Sequence, residues 1–538
     1  IYSFGAPSVY SGRSYFLLYW VAISMSKTII IIGAGLAGLS AALQAAENGC
    51  NVKLVSSLPS ERAQSVMAEG GINAALNTKD ENDSPEEHFT DTIKAACGLA
   101  DPNAVWGMTQ AAPELVHWLL KLGVKFNMSG YDDVDLRNFG GQKKKRTAFA
   151  QSDTGKQIMT AMIDAVRRKE ASGMVERFSH HSFLTLRLCG NICCGCVIRD
   201  EYSQETVELP GDAVIVATGG MHGLFGNTTG SLSNTGEVTA ELFRLGVPLA
   251  NGEMIQYHPT TVKCGGKRML ISEAARGEGG RLFAMKDGKQ WYFMEEKYPE
   301  LGNLMPRDIT AREIWKVSHE SEVFLDMTEI SEEIISNKLS GLADDCMTYL
   351  HKDIRKEPVS VLPGIHYFMG GILVDEQHRT PIQNLYAAGE CCAQYHGANR
   401  LGGNSLLGAL YGGRVAAKSA CEQADVVDLS CATQIDFPPA SQISEIKQLN
   451  KVMQETMGVV RNENTLLNGI QTVQALTGNL PLLGMAVLKS ALARKESRGA
   501  HWREDYPKSN DNDYLKTTVA RFDGKQIQIS FVPVPERR

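Results

Sequence analysis

Lys27–Ser57 reads KTIIIIGAGLAGLSAALQAAENGCNVKLVSS, and its order of signals decides the fold. A buried-strand run, KTIIII, is followed by Gly33-Ala34-Gly35-Leu36-Ala37-Gly38, then a helical pattern, then a second strand, NVKLVSS. This is a βαβ unit with GxGxxG in the frame that the motif requires, and it predicts dinucleotide binding. Gly33 permits the tight turn, Gly35 lets backbone approach a pyrophosphate, and Gly38 lets helix and strand pack closely. The helix N-terminus offers amide donors and a positive dipole end to the phosphates. One element departs: where an acid should hold the ribose, Ser56-Ser57 stand. Ser56, backbone or another residue must make that contact.

Further glycine sites follow at Glu69-Gly70-Gly71, at Ala217-Thr218-Gly219-Gly220 after the strand DAVIVAT, and at Ala387-Ala388-Gly389-Glu390. The last lies about 350 residues after the first. A late strand that returns to close the site suits a two-part FAD domain better than an NAD domain. The length of 538 residues fits two to four domains. Lys plus Arg number 54 and Asp plus Glu 61, a net charge of −7, which gives no electrostatic footprint for nucleic acid. Twelve cysteines in so long a chain predict a reduced, intracellular protein. Cys189, Cys193, Cys194 and Cys196 flank a Gly190-Asn191 turn between two strand-like runs, so they read as structural thiols and not as a metal site. Residues 1–24 carry an apolar run of about nine residues, short of the roughly 20 that span a bilayer. They read as a disordered or artefactual extension ahead of Met25.

Nine segments occur in order: RAQSVMAEGGINAAL, FGGQKKKRTAFAQSDTGKQI, QYHPTTV, SEAARGEGG, PRDITARE, HYFMGGI, YAAGE, HGANRLGGNSL and RKESRGAHWREDYP. Together they resemble the flavoprotein subunit of succinate dehydrogenase and fumarate reductase, from Lys27 to about Tyr506. L-aspartate oxidase shares the fold and several of the motifs. The resemblance implies an α/β chain with a Rossmann-like FAD-binding domain split in sequence, 25–250 and 358–431. It implies an inserted α+β capping domain at 251–357. Three amphipathic helical runs predict a C-terminal bundle at 436–505, and two β runs around Asp523-Gly524 predict a hairpin tail at 506–538.

The resemblance also implies roles. Gly33, Ala34, Gly35, Gly38, Ser56, Gln64, Ser65, Gly70, Gly71, Ala217, Thr218, Gly219, Glu390, Ser405 and Leu406 would bind FAD, and Gln256 would lie near the flavin. Arg400 and His366 would hold one carboxylate of fumarate or succinate; His258 and Ser272, beside Glu273, would hold the other. A guanidinium fork fits a carboxylate better than an ammonium does. Arg307 would donate the proton, and Glu273 and Arg276, at i and i+3, would relay it from solvent. A guanidinium acid needs a neighbouring cation to lower its pKa. The family's respiratory members carry a flavin-bonded His where this chain has Gln64. Gln lacks the nucleophilic ring nitrogen, so the FAD should be non-covalent, and loss of the histidyl link favours fumarate reduction over succinate oxidation. No cysteine spacing here builds a cluster. Electrons would come from an iron–sulfur subunit, with any membrane anchor indirect, at the cytoplasmic face of the inner membrane or in the cytoplasm. The basic run Lys143-Lys144-Lys145-Arg146 reads either as a solvated loop or as a loop near flavin and partner. Two alternatives stay open: L-aspartate oxidase, and a non-catalytic electron-transfer flavoprotein.

Overall fold

The computed structural model describes residues 26–130, 133–425, 435, 437 and 442–538; the expected extension 1–24 lies outside them. Strands β1 (Thr28–Ile32), β2 (Asn51–Ser56), β3 (Val175–Ser179), β4 (Ala213–Val216) and β5 (Leu385–Ala387) form one sheet in the order β5-β4-β1-β2-β3. Every neighbouring pair is parallel. Such a sheet is covered on both faces, which is why β1 is continuously apolar from Ile29 to Ile32 rather than alternating. Ile29 and Ile31 enter one core, Ile30 and Ile32 the other. Helix α1 (Leu36–Glu47) crosses between β1 and β2. Gly33 has φ +110°, and a Cβ there would stand 2.3 Å from the Ala217 carbonyl oxygen. At Gly38 a Cβ would stand 1.8 Å from the Gly33 carbonyl oxygen, so no side chain fits.

β5 arrives after a long insertion. Part of that insertion packs a separate core around Leu282, Ile314, Leu325 and Leu342. It contributes helices α2 (Glu273–Gly277) and α3 (Arg307–Val317). Its strand Ile255–Cys264 pairs with Leu362–Phe368, so both ends of the insertion are tied together. Helix α4 (Asn404–Gln423) follows β5 and packs on α1. Helices Ile443–Thr456, Glu463–Val473 and Asn479–Ala493 contribute to one core, as the helical pattern predicts.

In the C-terminal segment, Lys516–Phe522 pairs with Ile527–Pro533, and this hairpin extends a five-stranded sheet through Leu249–Ala250. Two expectations are corrected. Lys143 and Lys145 of the basic run are exposed, as on a solvated loop, but Arg146 is not. Arg146 is fully buried between Asp83 and Asp91, at 2.9 Å from each, and the Lys145 amide donates to Glu81. Cys193, Cys194 and Cys196 are buried free thiols on the expected hairpin, but Cys189 is disulfide-bonded.

Candidate active site

A cavity of about 900 Å³ runs from the C-terminal ends of β1 and β2 to the inserted core. All the residues expected to bind cofactor or substrate line it, except Gly38, which lies in the first turn of α1 against the Gly33 carbonyl. Arg276 stands behind Glu273, off the wall.

At the nucleotide end, α1 begins with no side-chain cap and no acid in its first turn. Ser65 Oγ accepts from the Leu36 amide at 3.3 Å. A Cβ at Gly35 would meet nothing nearer than Ser65 Oγ at 3.7 Å. The protein itself leaves room there, so a glycine at this uncapped helix start fits the approach of a phosphate. The buried Ser56 hydroxyl has no partner, an orphan donor beside the same space. The residues present therefore fit FAD. Glu237 and Glu201, from 237 and 201 in the chain, also reach this wall, and Glu201 joins His180 next to the end of β3. The sequence pattern assigned no acid here because neither follows β2. Gln64 lines the cavity beside Ser65. Glu69, also on the wall, is half-buried with its Oε2 enclosed and unpartnered among the described residues, and desolvation pushes its carboxyl up to about 8, with Asp345 adding to the rise.

At the other end α2 and α3 bring three charged side chains together. Glu273 Oε2 accepts from Arg307 Nη2 at 2.6 Å and Nε at 2.9 Å. Glu273 Oε1 accepts from Arg276 Nη2 at 3.1 Å and from the Gly140 amide at 3.2 Å. Arg307 Nη1 donates to Gln256 Oε1 at 3.1 Å, and Gln256 Nε2 donates to the Arg400 carbonyl at 2.8 Å. Burial opposes ionisation of Glu273, but Arg307 and Arg276 outweigh it and hold the carboxyl below its usual range. Burial, then Arg307, lowers Arg400 to about 9. Arg400 is 3% exposed and lies 4.3 Å over the Tyr367 ring. Among the described residues no carboxylate forms a salt bridge with it; Glu390 and Glu273 act on it only through space. Ser272 caps α2.

His258 and His366 pack edge to face with ring centroids 5.1 Å apart. Burial, then Arg307, holds both well below the usual imidazole range, so both rings are neutral. His258 Nε2 is buried without a partner among the described residues. Thr229, which sequence reasoning missed, lies 2.8 Å from His366 Nδ1. A buried guanidinium and an imidazole on one cavity wall suit an anionic ligand.

The FAD binding domain family model matches residues 28–406, and the fumarate reductase flavoprotein C-terminal model matches 476–537. The succinate dehydrogenase flavoprotein subunit of Bacillus subtilis is 38% identical, with 95% of this chain and 98% of that protein covered. The 8-methylmenaquinol:fumarate reductase flavoprotein subunit of Wolinella succinogenes is 32% identical over 95% and 92%. Among solved structures, a mutant FrdA of E. coli quinol fumarate reductase superposes with TM-score 0.86 at 27% identity, over 95% of this chain and 97% of that one. Adenylylsulfate reductase of Archaeoglobus fulgidus, at 17% identity and TM-score 0.75, shares the fold alone, so the reaction has to be argued from the site. The chain belongs to the flavoprotein family of succinate dehydrogenases and fumarate reductases, and it is an FAD-dependent oxidoreductase.

Proposed function

We propose that the chain interconverts fumarate and succinate, favouring fumarate reduction, with non-covalent FAD and with Arg307 as proton donor. The observation that carries this is Arg400: a buried cation without a salt bridge, on one wall with His366, His258 and Ser272. A dicarboxylate supplies the missing charge at one end and accepts from the neutral rings and Ser272. Bound reduced FAD supplies a hydride to one alkene carbon. Arg400 and His366 fix one carboxylate, which orients the alkene and draws electron density from it. Arg307 uses three of its five N–H groups on Glu273 and Gln256, and two remain for the substrate. Once Arg307 has given a proton to the substrate, Glu273 passes one from Arg276 to the neutral Arg307, and solvent reprotonates Arg276. α4 starts at Gly403 (φ +83°) with no side-chain cap and lines the cavity through Gly403, Ser405 and Leu406, so its positive end would favour negative charge on a bound flavin.

An aspartate oxidase reading needs an acid for the substrate amine. Glu273, the carboxylate that touches these groups, is engaged by both arginines. An iron–sulfur subunit is proposed as electron donor, with a membrane reached only through partners; no described helix is long and apolar enough to cross one. Anaerobic assay with reduced viologen tests the reading: fumarate is reduced fast, succinate is oxidised more slowly with an acceptor, and aspartate with oxygen is inert. Fast aspartate oxidation would replace the reading, and inertness to all three would end it. Gln64 gives a second expectation. Acid precipitation should release all yellow colour into the supernatant, whereas colour that stays with the pellet would mean a covalent flavin.

A further inference from the structure

We propose that Thr229 is a positioning residue that fixes the tautomer of His366, so that Nε2–H meets a substrate carboxylate. This rests on the dicarboxylate reading above. His366 lies on the strand Leu362–Phe368, and its Nδ1 is 2.8 Å from Thr229 Oγ1. Thr229 belongs to the loop between Phe225 and Gly236, and is 8% exposed. The loop is held to the strand without the side chain, because the Thr229 amide donates to the Ile365 carbonyl at 3.0 Å.

A neutral imidazole carries one N–H, and the hydrogen-bond partner of one nitrogen decides the role of the other. His366 is half-buried, and desolvation of its ring together with Arg307, Arg400 and His222 disfavours a proton on both nitrogens. A carboxylate only accepts. Binding one through Nε2 therefore requires Nε2–H, with Nδ1 as the acceptor. The Thr229 hydroxyl is the donor within reach of Nδ1. Its competing acceptor, the Ile365 carbonyl, is longer at 3.3 Å and already receives the Thr229 amide. Donation to Nδ1 is thus the better bond once substrate is present. His258 differs. Its Nδ1 is framed by its own strand, at 3.1 Å from the Thr260 carbonyl and 3.3 Å from the Thr260 amide, while Thr260 Oγ1 is committed to the Ile271 carbonyl at 2.8 Å. Of these two rings, His366 is the one that meets a hydroxyl from a separate loop.

The test uses the FAD-loaded protein at pH about 7.5. It reads malonate Kd from the flavin absorbance change, and KM and kcat for fumarate with reduced viologen. Thr229→Val should raise malonate Kd and fumarate KM about tenfold, the worth of one hydrogen bond to a charged group, and shift kcat much less. Thr229→Ser should restore Kd and KM to within about twofold, because it keeps the hydroxyl. In a His366→Gln background, Thr229→Val should add nothing to the malonate Kd. If Thr229→Val loses FAD, Thr229→Ala provides the same comparison. Unchanged constants in the hydroxyl-free variant, a Ser variant as weak as Val, or full additivity with His366→Gln would each overturn the role. A wild type that reduces fumarate and binds malonate while Thr229→Val matches it overturns Thr229 alone. A wild type that does neither overturns the dicarboxylate reading and this role with it.

Discussion

Arg307→Lys should lower fumarate reduction by about 10³-fold or more while flavin absorbance and FAD content survive. The size follows from geometry. Arg307 spans two acceptors at once, Glu273 Oε2 through Nε and Nη2, and Gln256 Oε1 through Nη1. A lysine ammonium is one point of charge on a flexible stem and cannot bridge both while keeping a donor for substrate. Glu273 would keep Arg276 and the Gly140 amide, so the fold should hold. The loss should fall on kcat, because the proton is delivered only in the transition state. A lysine variant with near-normal turnover would remove Arg307 from the proton-donor role.

Arg400→Met should give the second large effect, and it has two opposite signs. Fumarate KM should rise about 10²-fold, since a charge-assisted, bidentate contact is lost. The substrate-free protein should become more stable, not less. Arg400 is buried without a salt-bridged carboxylate, which costs several kcal/mol in a typical interior, and methionine fills similar space without charge. Thermal unfolding with and without malonate measures both signs: the variant should melt higher than wild type when ligand-free and gain little from malonate. A variant that melts lower and keeps normal KM would mean that Arg400 is structural.

The nucleotide half was legible because its demands fall on backbone. Gly33 and Gly38 have no room for a Cβ, and such positions leave glycines at fixed spacing that a reader can find. The charged trio of Glu273, Arg276 and Arg307 was legible in part, since Glu273 and Arg276 share a helical turn. What stayed hidden depends on contacts between distant segments. Arg146 looks like the end of a solvated basic run, yet Asp83 and Asp91, 63 and 55 residues earlier, bury it. The C-terminal hairpin was visible from its Asp-Gly turn, but its docking on Leu249–Ala250 leaves no local signal. Thr229 is one of two adjacent threonines in a loop 137 residues from His366, and nothing in its neighbours marks it.

The central claim is that this chain, loaded with FAD, passes a hydride to fumarate and a proton from Arg307. An anaerobic single turnover tests it without any partner. The flavin is reduced in advance, the protein is mixed with fumarate, and flavin reoxidation is followed alongside succinate formation. One succinate should appear for each flavin reoxidised, and the Arg307→Lys protein should remain reduced over the same interval. A wild-type flavin that stays reduced in the presence of fumarate would contradict the account.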